Sequence, residues 1–239
     1  MGRYEIATGK KKPEPRIEPV KTFGFDSDLT NDMKRTFRPS MRHGYFDLQD
    51  RQIARVGIVY TDKAALFTGS NTHFNGIYFL CKSGTNYRAP CCDYSRPLFR
   101  TACVLVKYGY GIDQTSSLED FVYELKPWVF GPSTYKKLRE VHNRTPLFDH
   151  DIILSRNNPT LKIYDIQPSG KSLWQNVSDF IEQKILTESV PLLENMKNAI
   201  GSDLSVSEIN ELIEAAKGSR ANQWAIRFND MPPGNYHAI

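Results

Sequence analysis

From Ile53 onward the apolar positions fall mostly at strand spacing. Ile53 to Tyr60 is rich in β-branched residues, Ile77 to Cys81 is a short apolar run, and Arg100 to Tyr110 is the longest run of the kind. Phe121, Tyr123 and Leu125 alternate with Val122, Glu124 and Lys126, the period of two expected of a half-buried strand. Asp151 to Leu154 and Thr160 to Ile166 form a further pair around Arg156-Asn157-Asn158-Pro159, a turn by composition. One helix interrupts the strands. Pro132 and Ser133 open it, and Tyr135, Leu138 and Val141 fall on one side at i, i+3 and i+6. Several strands, one inserted helix and irregular loops fit a small Greek-key barrel such as the OB-fold, with a β-sandwich as the alternative.

After Ser169-Gly170 the period changes to that of helices. Phe180, Ile181, Ile185 and Leu186 make one apolar stripe. Pro191 is expected to start a second segment with Leu192, Leu193, Met196 and Ile200. A third helix has the capping pattern Ser205-x-x-Glu208, apolar Ile209, Leu212, Ile213 and Ala216, and Gly218 as its expected stop. The division that follows is a flexible basic arm over 1–24, a barrel core over 25–173 with an insertion at about 61–99, a helical segment over 174–218 and a loose tail over 219–239. The arm carries Lys10-Lys11-Lys12, Pro13, Pro15, Arg16 and Pro19 and lacks apolar periodicity.

Composition changes this picture little. The 239 residues are 40% hydrophobic and 24% charged, enough for a globular core. A net charge of +4 is too mild to identify a polyanion partner by itself. The N-terminus lacks the apolar core of a signal peptide, and no run approaches the roughly 18 apolar residues of a membrane span. The expectation is a cytoplasmic protein with reduced thiols and no membrane partner.

Candidate chemistry is mostly that of binding. Gly170-Lys171-Ser172 ends like a phosphate-binding loop, but Asp165 stands where the leading glycine belongs. Tyr108-Gly109-Tyr110-Gly111 lacks the third glycine of a dinucleotide fingerprint, and no nucleophile motif occurs, so no enzyme is expected. His73, Cys81, Cys91 and Cys92 could supply the four ligands of one structural zinc. Against this stand the adjacency of Cys91 and Cys92 and the missing Cys-x-x-Cys spacing; the other reading is ordinary small residues, with Cys103 in a core strand. A second set mixes rings and cations: Tyr87 with Arg88, Arg96, Phe99 with Arg100, Lys107 with Tyr108, Tyr110, Trp128, Lys171 and Trp174. Stacking a base on a ring is worth about 1–3 kcal/mol whatever the base, so such a set suits sequence-independent contact with single strands. A strand exposes every second residue, so each ring is either contact or core.

These residues resemble a known family, the single-stranded DNA-binding, helix-destabilising proteins of T-even-like tailed bacteriophages. The resemblance covers roughly residues 53–180. Cys81 and Cys91 have the spacing of that family's first two zinc cysteines. Trp128-Val-Phe-Gly-Pro-Ser-Thr-Tyr-Lys-Lys-Leu138 is similar to its strand-to-helix segment, with Trp128 facing DNA. Asn158 to Trp174 resembles a later strand and loop, with Trp174 at another contact, and Thr101 to Val106 resembles the strand after the zinc subdomain. The resemblance implies an OB-fold with an inserted zinc subdomain, a basic cleft for single-stranded DNA, and self-association along DNA through the basic arm. It implies coating of unwound strands in replication, recombination or repair, beside replication or recombination proteins, in the host cytoplasm if phage-encoded. Two departures stand out. Tyr94 and Thr68 occupy the positions of the family's third cysteine and its histidine, and the chain has no acidic C-terminal tail. The alternatives are a phage structural or assembly protein that binds another protein through the barrel, and an RNA-binding regulator.

Overall fold

The computed structural model describes residues 21–25, 45–49, 51–75, 77–84, 88–157 and 163–229, with the side chains of 21, 23 and 219–229 excepted. The basic arm before Lys21, Tyr87 and the last ten residues lie outside them. Eight strands form one antiparallel sheet: β1 (Lys21–Phe23), β2 (Ile53–Val59), β3 (Phe67–Asn75), β4 (Ile77–Leu80), β5 (Leu98–Tyr108), β6 (Tyr123–Phe130), β7 (His150–Arg156) and β8 (Tyr164–Lys171). The helices are α1 (Pro90–Tyr94), α2 (Pro132–His142), α3 (Leu173–Asn176), α4 (Asp179–Glu194), α5 (Met196–Ile200) and α6 (Val206–Asn229). Among the described residues no helix is long and apolar enough to cross a membrane.

β5 organises the sheet. One of its edges pairs with β6 along Thr101–Tyr108. Its other edge is shared: Leu98–Ala102 pair with β3, and Val104–Lys107 pair with β2. β2 continues to β7 and β7 to β8, so the path β6-β5-β2-β7-β8 is continuous. Among the described residues β6 and β8 do not pair. Residues 45–49 span the gap instead. Phe46 N–H donates to Pro127 O of β6 at 2.8 Å, Tyr164 of β8 donates its hydroxyl to Asp47 at 2.9 Å, and Arg156 of β7 donates to Leu48 O at 2.8 Å. Pro127 has no N–H to offer, and its carbonyl takes the bond on this outer edge, where proline is tolerated in a sheet.

Alternation along β5 divides two cores. Phe99, Cys103 and Leu105 point into a cluster with Val56, Trp128, Ile152, Leu154 and Ile166, closed by Tyr135, Leu138 and Val141 of α2. Ala102, Val104, Val106 and Tyr108 point the other way, against Trp174, Ile181, Ile185, Ala199 and Ile200 of α3, α4 and α5. Each buried Ile or Leu in these layers is worth roughly 1.5–3 kcal/mol over exposure. β5 is therefore covered on both faces. Cys103, in its middle, is a buried free thiol whose pKa burial pushes up.

A polar joint ties the C-terminal layer to strands β2, β5 and β7 of the sheet. Asp151 of β7 is fully buried, yet its carboxylate accepts from Arg55 Nε at 2.9 Å, Tyr108 OH at 3.0 Å and Leu173 N–H at 3.1 Å. Tyr108 OH in turn accepts from Trp174 N–H at 3.1 Å. Burial raises the Asp151 pKa to about 6, against the lowering effect of these donors. Gly57 lies against the joint: a Cβ there would sit 2.7 Å from Trp174 Cδ1, 2.8 Å from Asp151 Oδ1 and 2.9 Å from Tyr108 OH.

Several expected boundaries move. β3, rich in polar residues, was not expected as a strand. Pro191 does not start a helix but sits inside α4, in its last turn, where it forgoes the N–H bond to the preceding turn. Gly218 does not stop α6, which continues to Asn229. Phe180 is 65% exposed and falls off the stripe that Ile181 and Ile185 bury.

Candidate metal centre

The insertion between β2 and β5 brings together His73, Cys81 and the adjacent pair Cys91 and Cys92. His73 lies near the end of β3, opposite Phe79 of β4. The two strands are antiparallel neighbours, so the residue just past β4, Cys81, returns alongside β3; its N–H donates to Asn71 O at 2.9 Å. Pro90 starts α1, a position where its missing N–H costs nothing. Cys91 and Cys92 then occupy the first turn. A short helical turn lets two neighbouring side chains reach one point without extended-chain strain, which removes the objection to adjacent ligands.

The ligand atoms of His73, Cys81, Cys91 and Cys92 all lie within 4.8 Å of one another, and the four residues could hold a metal ion. Cys81 Sγ is 3.5 Å from Cys92 Sγ, and Cys92 Sγ is 3.5 Å from His73 Nε2. A tetrahedral ion with about 2.3 Å to sulfur and about 2.0–2.1 Å to nitrogen sets edges of about 3.8 Å and about 3.5 Å between such atoms.

The surroundings orient these atoms. His73 Nδ1 is 2.9 Å from Ser95 Oγ, which leaves Nε2 facing the sulfurs. Ser83 N–H points at Cys81 Sγ at 3.5 Å. Ser83 Oγ accepts from Ala89 N–H at 2.8 Å and lies 2.9 Å from Cys92 Sγ, so its proton is available to that sulfur. The thiols are electrostatically distinct. The hydrogen bond with Cys91, then burial, raises Cys81 to about 11. The same bond, helped by the Lys82 backbone, lowers Cys91. Burial is the main cause that raises Cys92.

The ring-and-cation set divides differently. Trp128, Trp174, Phe99 and Tyr108 are buried, and so is Arg100. Trp128 lies 4.5 Å from the Phe130 ring and 6.0 Å from Phe46. Trp174 packs edge-on to Tyr60 at 6.0 Å, and Tyr108 is committed to Asp151. Arg100 donates to Ile200 O and lies 3.8 Å over the Tyr78 ring. The expectation that these five contact DNA is corrected: rings that close both faces of β5 cannot stack on bases while the fold stands. Arg88, Arg96, Lys107, Tyr110 and Lys171 remain at the surface, on separate elements. Arg88 pairs with Asp93 at 2.6 Å, and Lys107 lies 4.0 Å from Glu124. Tyr110 stands fully exposed in the turn after β5.

Sequence reasoning missed Asp151, Ser83 and Ser95. Asp151, the acid directly at the head of Ile152-Ile153-Leu154, carried a signal, since an acid in an apolar run needs partners. The serines carried none. No family, curated protein or solved structure matches the chain.

Proposed function

We propose that the protein is a sequence-independent single-stranded DNA-binding protein built on an OB-type barrel, with zinc at the His73–Cys81–Cys91–Cys92 centre. The observation that carries this reading is one of connectivity. β6-β5-β2-β7-β8 is a five-strand antiparallel path with a helix, α2, between β6 and β7, and the candidate metal ligands sit in the insertion between its first two strands, β2 and β5. An OB barrel with a metal module at that point is what the resemblance implies. Three thiolates and one imidazole in a tetrahedron favour zinc over hard cations.

The contacts are not those expected from the rings. The outward face of β5 and β6, where OB-folds commonly bind, is covered by α4 and α5. Binding therefore relies on exposed Arg88, Arg96, Lys171 and Tyr110 and on half-buried Lys107. Fluorescence anisotropy of a labelled oligo-dT, titrated against salt and compared with duplex, tests this. Binding that favours the single strand and weakens as salt rises is expected. Absence of binding at low salt by metal-loaded protein refutes it. Quenching of Trp128 or Trp174 is not expected, since both are buried.

A second reading, an assembly protein that binds another protein, is favoured by the same burial of rings. It gains if the oligonucleotide fails to bind and the protein associates with itself or a partner in sedimentation.

A further inference from the structure

We propose that metal loading of the His73–Cys81–Cys91–Cys92 centre controls docking of the C-terminal helix α6. The inference rests on metal occupancy and not on nucleic acid. The third core of the molecule has five buried members, Phe79, Ala89, Cys91, Ile209 and Ile213. Three come from the metal module and two from α6. One of the three, Cys91, is itself a candidate ligand. Another, Phe79, carries the His73 ring stacked on it at 5.7 Å. The surface that receives α6 is thus made of the ligands and the residues they hold.

Among its described side chains, α6 buries Ile209 and Ile213 in this cluster and in neither larger core. Asn75, two residues beyond His73, donates to Leu212 O at 2.8 Å. The approach to α6 is built on the same module. Ser202 forms a parallel bridge with Phe79, with Leu80 N–H to Ser202 O at 2.9 Å and Ser202 N–H to Tyr78 O at 2.9 Å. Lys82, next to Cys81, and Lys197 both pair with Asp203. A core this small does not hold a fold by itself, and small domains of this kind depend on an ion. When the ion leaves, the ligands lose their common geometry, Cys91 and Phe79 shift, and α6 loses its seat. The two large cores share no fully buried residue with this one and stay formed.

Coupling of this kind is reciprocal. If metal favours docking by some factor, docking favours metal by the same factor. Hydrogen exchange of the full-length protein, metal-loaded and after chelator treatment, tests the proposal. Amides of 206–218 are expected to lose protection at least ~10-fold on metal removal and to regain it with Zn²⁺ but not Mg²⁺, while α2 amides stay unchanged. Ile209→Ala, outside the ligand set, is expected to weaken zinc affinity in a chelator competition. Equal α6 protection with and without metal overturns the proposal. So does an Ile209→Ala protein that holds zinc as tightly as the parent, or a chain that takes up no zinc. Loss of α2 protection together with α6 also overturns it, because metal would then support the whole fold.

Discussion

Two buried polar clusters anchor later parts of the chain, and they are satisfied in opposite ways. Around Asp151 the chain supplies everything: a guanidinium, a phenol and a backbone N–H close on the carboxylate between two large cores. Around Cys91 the chain supplies sulfurs and an imidazole nitrogen whose natural common partner is a cation, and the core beside them has five buried members. Burying polar atoms is costly unless they are paired. Where apolar area is ample, hydrogen bonds are enough to fix the joint. Where it is scarce, an ion at the proposed centre would add to stability.

The contrast breaks most sharply under chelation. Removing the metal, or replacing Cys91 with Ser, is expected to open the module while the main sheet survives. Limited proteolysis should then cut within 77–84 and 88–97 at least ~10-fold faster and leave 98–157 resistant. Simultaneous loss of both regions would erase the distinction.

Asp151→Ala comes next. It strands Tyr108 OH and Leu173 N–H, and urea unfolding should show a loss of about 3 kcal/mol, the low end for breaking a buried pair because Arg55 stays partly in water. The pH response sharpens the comparison. The Asp151 carboxyl is raised to about 6 by burial. Its folded form thus binds a proton more readily than its unfolded form, so its contribution is full below about 4 and lost as pH rises through about 6. The Asp151→Asn variant should lack that slope. The metal module runs the other way, because acid protonates the ligands and releases the ion. Metal content and the stability of the main sheet measured across the same pH series should therefore move in opposite directions.

Gly57→Ala is expected to cost about 1–3 kcal/mol by overpacking, with metal content unchanged. Ser95→Ala should have the smallest effect. It frees the His73 ring and lowers metal affinity about tenfold in a chelator competition, with unfolding of the main sheet unaltered.

The sequence made some of this visible and hid the rest for physical reasons. Tyr135, Leu138 and Val141 were readable as one face of α2 because helical spacing leaves few other options, and all three are buried. The four candidate ligands were readable as chemistry before their geometry was known. β3 was not, because its sequence, Phe-Thr-Gly-Ser-Asn-Thr-His-Phe-Asn, lacks a strand's apolar alternation; yet Thr72 and His73 are fully buried. The rings misled because an aromatic beside a cation looks the same whether it faces solvent or a helix. Thr101 to Val106, nearly continuous in apolar character, carried the warning. Such a run marks a strand covered on both sides, and α3 to α5 provide the second cover.

The position of Cys103 gives the molecule a built-in counter. The chain has four cysteines, three in the candidate metal centre and one in the middle of β5. A thiol reagent should find no sulfur in the loaded protein, three once the ion is withdrawn, and the fourth only when the main sheet itself comes apart. The stoichiometry of a colorimetric titration therefore reads out, in whole numbers, which level of the architecture has been lost.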